Sequence, residues 1–380
     1  MSAERAILQP IKRVLVVRFG ALGDMVLLTT MIRRLNARFG VPVDLVSSGS
    51  WTLPLLRDQP GVGEIVIIGS RRRAYWLSPD QRRLVRWLRE RGPCPTWFAH
   101  PHEAGRELLR RGGIPDELVC DFADLQLVPG EHDAERWARF ADETPRALLG
   151  SYPPPSEPRV GAASLRISAA ARDELQRWLV RHGLLNRSLV AIQAGNKRTM
   201  RSWNRRRSTN KKYWPEERWA EVIRAIRSDA PDSAIVLLGV PHEYSLNQDI
   251  IRRAGVSDVH NVADELSVPV LCAMLEQTDS MISVDTGPAH VAAAVGCPVV
   301  TLFADASPLR YRPGGRHSNA VVLQGEVDGE LNILGIDVER VIAEWRQLPK
   351  RPSRPAARHS IAPSDSLPQP RITLPGKQTA

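Results

Sequence analysis

The chain has 380 residues, of which 43% are hydrophobic and 25% charged, with a formal net charge of +10. This length suits two domains, and the composition is that of an ordinary globular protein. No apolar stretch is long enough to span a bilayer, and the first residues lack a signal peptide's apolar core, so we expect a cytoplasmic protein. The four cysteines show no metal-binding spacing and no CxxC pair, which is typical of isolated thiols.

Strands and helices alternate through the first part of the chain. The apolar run "VLVV" ends at Arg18, and apolar residues then recur at helical spacing from Met25 to Phe39. The alternation continues with strands at "VDLVSS" and "EIVIIG" and helical segments near Leu53 to Arg57 and from Pro79 to Arg91. Between Cys94 and Pro145 the pattern is less regular, and the Pro-rich "SYPPPSEPRVGAAS" indicates a linker.

The second part of the chain repeats this alternation. The predicted strands are "LVAIQAG", "SAIVLLG", "SMISVDTG" and "PVVTLF", and the predicted helices are Pro215 to Arg227, "VPVLCAMLEQ" and "PAHVAAAVG". Such alternation implies parallel sheets with right-handed crossovers. We therefore predict an α/β protein with two Rossmann-like, doubly wound parallel-sheet domains that face a cleft, at residues 1–160 and 161–347. Residues 348–380 are a Pro/Ser/Arg-rich tail that we predict to be disordered.

The positive charge is concentrated in two segments. One is Ser70 to Gly92, and the other, Asn196 to Lys212, contains no acidic residue. Clustered cations suit three kinds of partner: nucleic acid, an anionic membrane surface or a phosphorylated small molecule.

The sharpest motif is "SMISVDTGPAHVAAAVGCPVVTLF". The strand is predicted to end at Val284, and Asp285, Thr286 and Gly287 form a turn before a helix that places Pro288 in its first position. Free N–H groups and the helix dipole at such a turn stabilise a phosphate, and Gly287 lets it approach the backbone. Thr286 adds a hydroxyl donor, and His290 lies within the first turn. The alternative is a common strand–turn–helix joint in which Asp285 only caps the helix.

Three segments of the chain together resemble a known family. They are "VLVVRFGALGDMVLLTTMIRRL", "TNKKYWPEERWAEVI" and "DTGPAHVAAAVGCPVVTLF". In this order and spacing they resemble the lipopolysaccharide heptosyltransferases, glycosyltransferase family 9, over about residues 12–347. The resemblance implies the GT-B fold of metal-independent glycosyltransferases. It also implies a nucleotide-diphosphate sugar donor, typically ADP-heptose, on the C-terminal domain and a lipid-linked glycan acceptor, typically the lipopolysaccharide inner core, on the N-terminal one.

Asp24 has two interpretations. It follows the first strand, where Asp commonly caps a helix, here the helix from Met25. A transferase that inverts the anomeric centre also needs a base to take the proton of the acceptor hydroxyl. The resemblance implies that Asp24 is this base. Gly20 and Gly23 would let sugar and chain approach closely, and Gly23 is assigned to acceptor binding.

The resemblance also implies a set of donor-binding residues. Lys212 matches the family's donor-phosphate lysine, and Glu243 matches a glutamate that contacts the ribose. The hydroxyl donors before the lysine would be Ser208 and Thr209, within a loop longer and more basic than is usual in the family. The remaining donor residues are those of the turn, Asp285, Thr286, Gly287 and His290. The sequence shows no DxD motif and no metal-ligand spacing, so we expect neither a metal nor another cofactor.

The basic segment after residue 70 has its own two interpretations. Arg71, Arg72 and Arg73 resemble a segment that the family uses near its acidic acceptor. The helix that follows mixes tryptophans with arginines, which suits the inner leaflet of an anionic membrane, where we expect a peripheral contact. An ordinary amphipathic domain helix explains the same pattern.

Other functions stay open at this point. A nucleotide-sugar transferase acting on another glycan or on a protein would share the fold. A nucleic-acid-binding protein would explain the charge, but no helix-turn-helix, OB or RRM pattern appears, and we expect no nucleic acid partner. A nicotinamide-dependent dehydrogenase should carry G-x-G-x-x-G after a strand, and "FGALGD" lacks that form.

Overall fold

In the computed structural model the residues described are 10–69, 74–100, 102–196, 210–315, 319–349 and, by backbone alone, 371–373. The chain folds into two compact units. The first comprises Met1–Ala21, Leu28–Pro129 and Glu135–Gly161. The second comprises Leu22–Leu27, Gly130–Ala134 and Ala162–Ala380, so it includes a turn of helix that follows the first strand.

The first unit is built on a five-stranded parallel sheet. Its strands are β1 (Val14–Val17), β2 (Val43–Ser47), β3 (Val62–Ile67), β4 (Thr96–Phe98) and β5 (Val119–Asp121), in the order β3-β2-β1-β4-β5. The helices of this part of the chain are α1 (Leu22–Phe39), α2 (Thr52–Leu56), α3 (Pro79–Arg91), α4 (Glu103–Arg111) and α5 (Asp133–Phe140). The strand order reverses at β1, which makes the carboxyl end of β1 a switch point where ligands commonly bind.

The second unit has a larger parallel sheet. Its strands are β6 (Leu189–Gln193), β7 (Ala234–Leu237), β8 (Val259–Asn261), β9 (Ser280–Val284), β10 (Val299–Phe303), β11 (Ala320–Gln324) and β14 (Arg371–Thr373), in the order β14-β11-β10-β9-β6-β7-β8. A small hairpin consists of β12 (Glu326–Val327) and β13 (Glu330–Leu331). The helices are α6 (Ala169–Arg181), α7 (Glu216–Asp229), α8 (Tyr244–Ala254), α9 (Val268–Gln277), α10 (Gly287–Ala294), α11 (Pro308–Tyr311) and α12 (Val338–Gln347). The strand order reverses between β6 and β9.

Each sheet has its own apolar core. In the first unit Leu15 and Val17 of β1 pack with Leu84, Val85 and Leu88 of α3. In the second, strand residues pack with two buried tryptophans in edge-to-face contact, Trp214 and Trp219, whose ring centroids lie 4.9 Å apart. The predicted α/β class with two parallel sheets is confirmed.

The structure corrects several expected boundaries. Helix α1 begins at Leu22, three residues before the predicted start at Met25. Helix α10 begins at Gly287, so Pro288 is its second residue rather than its first. The region from Cys94 to Pro145, which looked irregular, contains β4, β5, α4 and α5. These elements are only three to nine residues long, too short for a clear period.

Two further segments bear on earlier expectations. Most of the tail 348–380 lies outside the described residues, and its disorder stays a prediction. Arg371–Thr373, however, pair with β11 as a parallel strand where we expected none.

In α3 the apolar residues Leu84, Val85 and Leu88 are buried in the core, so the helix presents mainly arginines to solvent. Among the described residues, no helix combines the length and apolarity that crossing a membrane requires.

Candidate functional site

The switch point of the second sheet brings two loops together. Strands β6 and β9 are hydrogen-bonded neighbours, with Gln193 paired to Ser283 near their carboxyl ends. Lys212 comes after β6 in the chain, and the turn after β9 begins at Asp285. Lys212 and the Asp-Thr-Gly turn meet at this edge of the sheet, where Nζ of Lys212 contacts Asp285.

The Asp-Thr-Gly turn follows β9 as the sequence suggested, but it ends at Thr286, because α10 already begins at Gly287. Thr286 is the extended residue before α10, and its hydroxyl donates to the carbonyl of Val284 at 3.2 Å. Gly287 opens the helix, and a Cβ there would lie only 2.7 Å from Cβ of Leu22. The first N–H groups of α10 have no partner within the helix, as at any helix start, and so can bind an anion.

Lys212 and Asp285 form an ion pair across this edge. Nζ of Lys212 lies 2.5 Å from Oδ2 of Asp285 and 3.0 Å from its carbonyl oxygen. The aspartate is buried, whereas the lysine side chain is 31% exposed. The adjacent Lys211 makes a similar pair with Asp305, after β10, at 2.8 Å, but its side chain is 68% exposed.

His290 is buried between the turn and the start of α1. Its Nε2 lies 3.9 Å from Oδ1 of Asp285, and a Cβ at Gly23 would lie 2.7 Å from its Cδ2. Burial lowers the pKa of His290, and the charges of Asp285 and Asp24 act in the opposite direction. Its buried Nδ1 has no hydrogen-bond partner among the described residues. Buried polar atoms are usually paired, so this nitrogen is suited to a ligand.

Asp24 lies in the first turn of α1, close enough to His290 for its charge to raise the pKa of that imidazole. The expected role of Asp24 as the residue that caps a helix starting at Met25 is wrong, because α1 begins two residues before Asp24. An acidic residue in a first turn interacts favourably with the helix dipole. The side chain is half-buried.

Glu243 is buried after the carboxyl end of β7. Its Oε2 accepts from the Val240 N–H at 3.0 Å and from Nε2 of Gln193 at 3.1 Å. Burial raises its pKa, although both hydrogen bonds favour the carboxylate. The side chain also lies against Gly195, where a Cβ would be 2.5 Å from Oε1. Glu243 is therefore fixed between the ends of β6 and β7.

Two residues beside this cluster, His132 and Asp133, were missed by the sequence analysis. His132 is buried and accepts from the Ala134 N–H at 3.3 Å through Nδ1, so its Nε2 carries the proton donated to the Arg312 carbonyl at 2.8 Å. The buried Asp133 accepts from Nε of Arg310 at 2.9 Å, and its charge also acts on His290. No local motif marks these residues, since the contacts span about half of the chain.

Several assigned residues have no structural description. Ser208, Thr209, Arg71, Arg72 and Arg73 all lie outside the described residues. The structure thus brings together Asp24, Gly23, Lys212, Asp285, Thr286, Gly287 and His290, and it fixes Glu243 beside the neighbouring strand ends. Within the described part of the chain, no group of three or more His, Cys, Asp or Glu side chains is arranged to hold a metal ion.

Solved structures share this fold. A glycosyl transferase family 9 protein from Veillonella parvula superposes with a TM-score of 0.70 at 19% identity, covering 87% of this chain and 95% of that one. The E. coli ADP-heptose lps heptosyltransferase II has a TM-score of 0.66 at 19% identity, covering 88% and 97%. An E. coli heptosyltransferase solved with ADP has a TM-score of 0.65 at 18% identity, covering 88% and 99%.

Sequence relatives and a family model agree with the fold. Lipopolysaccharide heptosyltransferase 2 of Salmonella typhimurium is 24% identical over 332 residues, covering 82% of this chain and 87% of the relative. Its namesake in E. coli K12 is 22% identical with the same coverage. The model of glycosyltransferase family 9 (heptosyltransferase) matches residues 129–331, more than half of the chain. The chain therefore belongs to glycosyltransferase family 9, the heptosyltransferases.

Proposed function

We propose that this enzyme transfers heptose from ADP-heptose to the inner core of lipopolysaccharide, with inversion at the anomeric carbon and Asp24 as general base. The names of its relatives support this donor and acceptor class: two are lipopolysaccharide heptosyltransferases and one structural neighbour was solved with ADP. The observation that carries the proposal is the cluster in which the first turn of α1, with Gly23 and Asp24, and the Asp285 turn both pack against the buried His290.

The proposed reaction is a single displacement. The acceptor hydroxyl oxygen attacks C1 of the heptose, and the bond from C1 to the phosphate oxygen breaks. The hydroxyl proton passes to the carboxylate of Asp24, and ADP leaves with the electron pair of the broken bond. Attack on the face opposite the leaving group inverts C1. A base placed for this transfer contributes about 10²–10⁴-fold to the rate.

The leaving diphosphate needs positive charge, and the second unit supplies it. Lys212 offers its ammonium at the edge where α10 begins, and the free N–H groups of that helix add donors of fixed orientation. Hydrogen-bond donors that are already in position stabilise a leaving group most effectively, because they need not rearrange as negative charge develops on the diphosphate oxygens. We propose Glu243 for the ribose, Thr286, Gly287 and His290 for the diphosphate sugar, and Ser208 and Thr209 as further hydroxyl donors.

We propose that the acceptor is bound mainly by the first unit, with Arg71, Arg72 and Arg73 near its acidic groups, and that Gly23, which belongs to the second unit, lies next to the reacting hydroxyl. A lipid-linked acceptor requires the enzyme to reach a membrane surface. The exposed arginines of α3, which include Arg82, Arg83 and Arg86, support a peripheral contact with anionic lipid at the inner leaflet.

The test is a transfer assay with purified protein. ADP-heptose is mixed with lipopolysaccharide inner core that lacks heptose, and the product is analysed by mass spectrometry and by the NMR coupling of its anomeric proton. We expect heptose-containing product with inverted configuration and without added metal. A thermal-shift panel of nucleotide sugars identifies the donor, since a ligand at a hundred times its Kd stabilises a fold by roughly 2.7 kcal/mol. Stabilisation by another nucleotide sugar alone would overturn the donor assignment.

A further inference from the structure

We propose that Asn196 and Asn210 are positioning residues for Lys212, whose backbone they fix at the proposed diphosphate site; this role rests on the proposed function. Nδ2 of Asn196 donates to the carbonyl oxygen of Lys212 at 3.4 Å. The Lys212 N–H donates to Oδ1 of Asn210 at 3.3 Å. The carbonyl and the N–H of Lys212 are therefore both bound by asparagine side chains, and all three residues belong to the second unit.

The bond from Asn196 joins Lys212 to the end of β6. Asn196 comes soon after Gln193, the last residue of that strand, and lies 16 positions before Lys212. The ends of a chain segment of that length can take many relative positions, and bringing them together costs conformational entropy. A hydrogen bond between the two ends restricts the Lys212 backbone to the carboxyl edge of the sheet, where the turn after β9 begins with Asp285.

The residues from Asn210 to Trp214 are fixed by further contacts. The side chain of Asn210 binds a backbone N–H two residues on, a turn that asparagine commonly forms, and its carbonyl accepts from the Tyr213 N–H at 2.9 Å. Trp214 is 1% exposed, and its Nε1–H donates to the Ile336 carbonyl at 3.1 Å. Lys212 thus lies between a side-chain turn and a tryptophan that is anchored in the core.

Both asparagines are buried, with Asn196 7% and Asn210 6% exposed. An amide that is taken out of water must keep its hydrogen bonds, or its burial costs free energy. Both side chains also take part in interactions other than these bonds to Lys212. Their effect on the lysine must therefore be measured by comparing proteins with and without Lys212.

A lysine is most effective as a phosphate ligand when both of its ends are held. Its ammonium is a point charge on a flexible stem, so a mobile backbone would spread the charge over many positions. Nζ of Lys212 is held by Asp285, at 2.5 Å from Oδ2, while the two asparagines hold the backbone. A cation that is positioned in advance binds a diphosphate with a smaller loss of conformational freedom. The asparagines therefore contribute to ADP affinity through Lys212 and not through contacts of their own.

The experiment is a double-mutant cycle. Calorimetry measures the ADP affinity of Asn196→Ala and Asn210→Ala, each made in the wild type and in Lys212→Ala, in proteins that circular dichroism shows to be folded. In the wild type we expect each substitution to weaken ADP binding about threefold to tenfold, the effect of losing one hydrogen bond. In Lys212→Ala the same substitutions should cause no further loss, because the group that they position is absent.

Two further variants control for the loss of an asparagine side chain. Asn210→Ser keeps a side-chain oxygen that can accept from the Lys212 N–H, so it should recover part of the ADP affinity. Asn332→Ala removes the same kind of turn elsewhere in the second unit, where Oδ1 of Asn332 accepts from the Leu334 N–H at 3.0 Å. We expect Asn332→Ala to bind ADP as tightly as the wild type.

A second measurement needs no ADP. Lysine side chains are methylated with formaldehyde and a borohydride, and mass spectrometry follows the rate at Lys212 relative to the exposed Lys12. Because Lys212 is paired with Asp285, a backbone that is no longer held should release its amine to the reagent more often. We expect Asn196→Ala and Asn210→Ala to raise the relative rate at Lys212.

The outcomes separate this inference from the proposed function. If the asparagine substitutions weaken ADP binding equally with and without Lys212, or leave it unchanged in the wild type, the asparagines do not act through the lysine and the inference fails. If ADP does not bind the wild type, or binds Lys212→Ala as tightly, the proposed diphosphate site fails. The methylation rate then decides alone: an unchanged rate at Lys212 overturns the positioning role, and a raised rate supports it.

Discussion

Nζ of Lys212 lies 2.5 Å from Oδ2 of Asp285, although the two residues are 73 positions apart in the chain. The pair is locally neutral, so at the proposed donor site a diphosphate would meet a lysine whose position is set by a carboxylate, not an unpaired cation. Because Asp285 is buried, removal of the lysine would leave its negative charge without this partner at the proposed diphosphate site. This pair is thus more sensitive to truncation than a surface ion pair would be.

We expect Lys212→Ala to weaken ADP binding by about tenfold or more, because it removes a cation and exposes the diphosphate to Asp285. Calorimetric titration with ADP measures the change. Lys211→Ala is the matched control, since Lys211 pairs with Asp305 in the same way but is far more exposed. We expect Lys211→Ala to change ADP affinity by much less.

The double variant Lys212→Ala/Asp285→Asn tests the electrostatic reason. Removing the negative charge should return part of the ADP affinity lost in Lys212→Ala. Equal losses in the Lys211 and Lys212 variants would show that the diphosphate does not lie at this pair.

Asp24→Asn should remove most of the transfer activity, about 10²–10⁴-fold in kcat, while ADP affinity and Tm stay close to the wild type. The amide is nearly isosteric with the carboxylate but cannot accept the hydroxyl proton. Transfer assays beside calorimetry with ADP distinguish the two effects. Asp58→Asn, at an exposed carboxylate of the first unit, is the control and should be fully active. Turnover near the wild-type rate in Asp24→Asn would eliminate Asp24 as the base.

Gly23→Ala tests the close contact between α1 and His290. A Cβ at residue 23 would lie 2.7 Å from Cδ2 of His290, so the ring or the helix must move. We expect a loss of stability of about 1–3 kcal/mol and a fall in kcat, since the shift displaces Asp24 as well. In a His290→Ala background the same substitution should cost much less stability, as measured by urea unfolding. Equal costs in both backgrounds would mean that this contact does not decide the residue type at position 23.

His132 should make the protein sensitive to mild acid. Burial lowers its pKa to about 4, whereas an unfolded histidine titrates near 6.5. Below pH 6.5 the unfolded chain binds a proton at His132 that the folded protein does not bind. The free energy of unfolding therefore decreases as the pH is lowered from 6.5 to about 4. Between pH 6.5 and 5 this amounts to roughly 2 kcal/mol.

His132→Gln isolates this contribution. The amide can still accept from Ala134 and donate to Arg312 but does not titrate, so its free energy of unfolding should fall less between pH 7 and 5 than that of the wild type. Urea unfolding at both pH values provides the comparison. Parallel losses in the two proteins would show that His132 is protonated in the folded state.

The sequence predicted some elements of this structure to the residue. Helix α3 matches its predicted bounds because Ser78 caps it, accepting from the Gln81 N–H, and Gly92 ends it with a φ of 73°. Helix α1 was predicted to start too late because Gly23 suggested a turn, whereas the glycine lies inside the helix to make room for His290. The sequence therefore predicted a helix boundary correctly where residues adjacent in the chain determine it, as Ser78 and Gly92 do for α3.

The candidate site was predictable only in part, because some of its contacts join segments that are distant in the chain. The Asp285 turn is a continuous motif, and its features can be recognised in a single segment. The pairing of Lys212 with Asp285 and the position of Asp133 near His290 depend on which strands become neighbours in the sheet, and no spacing along the chain encodes that.

The last prediction concerns the basic segment before α3. Replacing Arg71, Arg72 and Arg73 together with Ala should weaken binding to anionic vesicles and use of a lipid-linked acceptor, while leaving ADP affinity unchanged. Each cation near such a surface contributes about 1 kcal/mol, and Trp76, which is 72% exposed a few residues on, can enter the interface beside them. Vesicle co-sedimentation at low and high salt measures the effect.

The salt dependence and a matched variant decide between a membrane contact and a solvated surface. Charge-driven binding should weaken as salt rises, because exposed charges are screened over about 8 Å at physiological ionic strength. Replacing Arg172, Arg187 and Arg346, which are paired with acidic side chains in the second unit, removes the same number of cations and should leave vesicle binding intact. If both triple variants lose binding equally, net charge rather than this segment attracts the membrane. If the first variant loses ADP affinity instead, the donor site extends to the basic segment and the assignment of donor and acceptor to separate units is wrong.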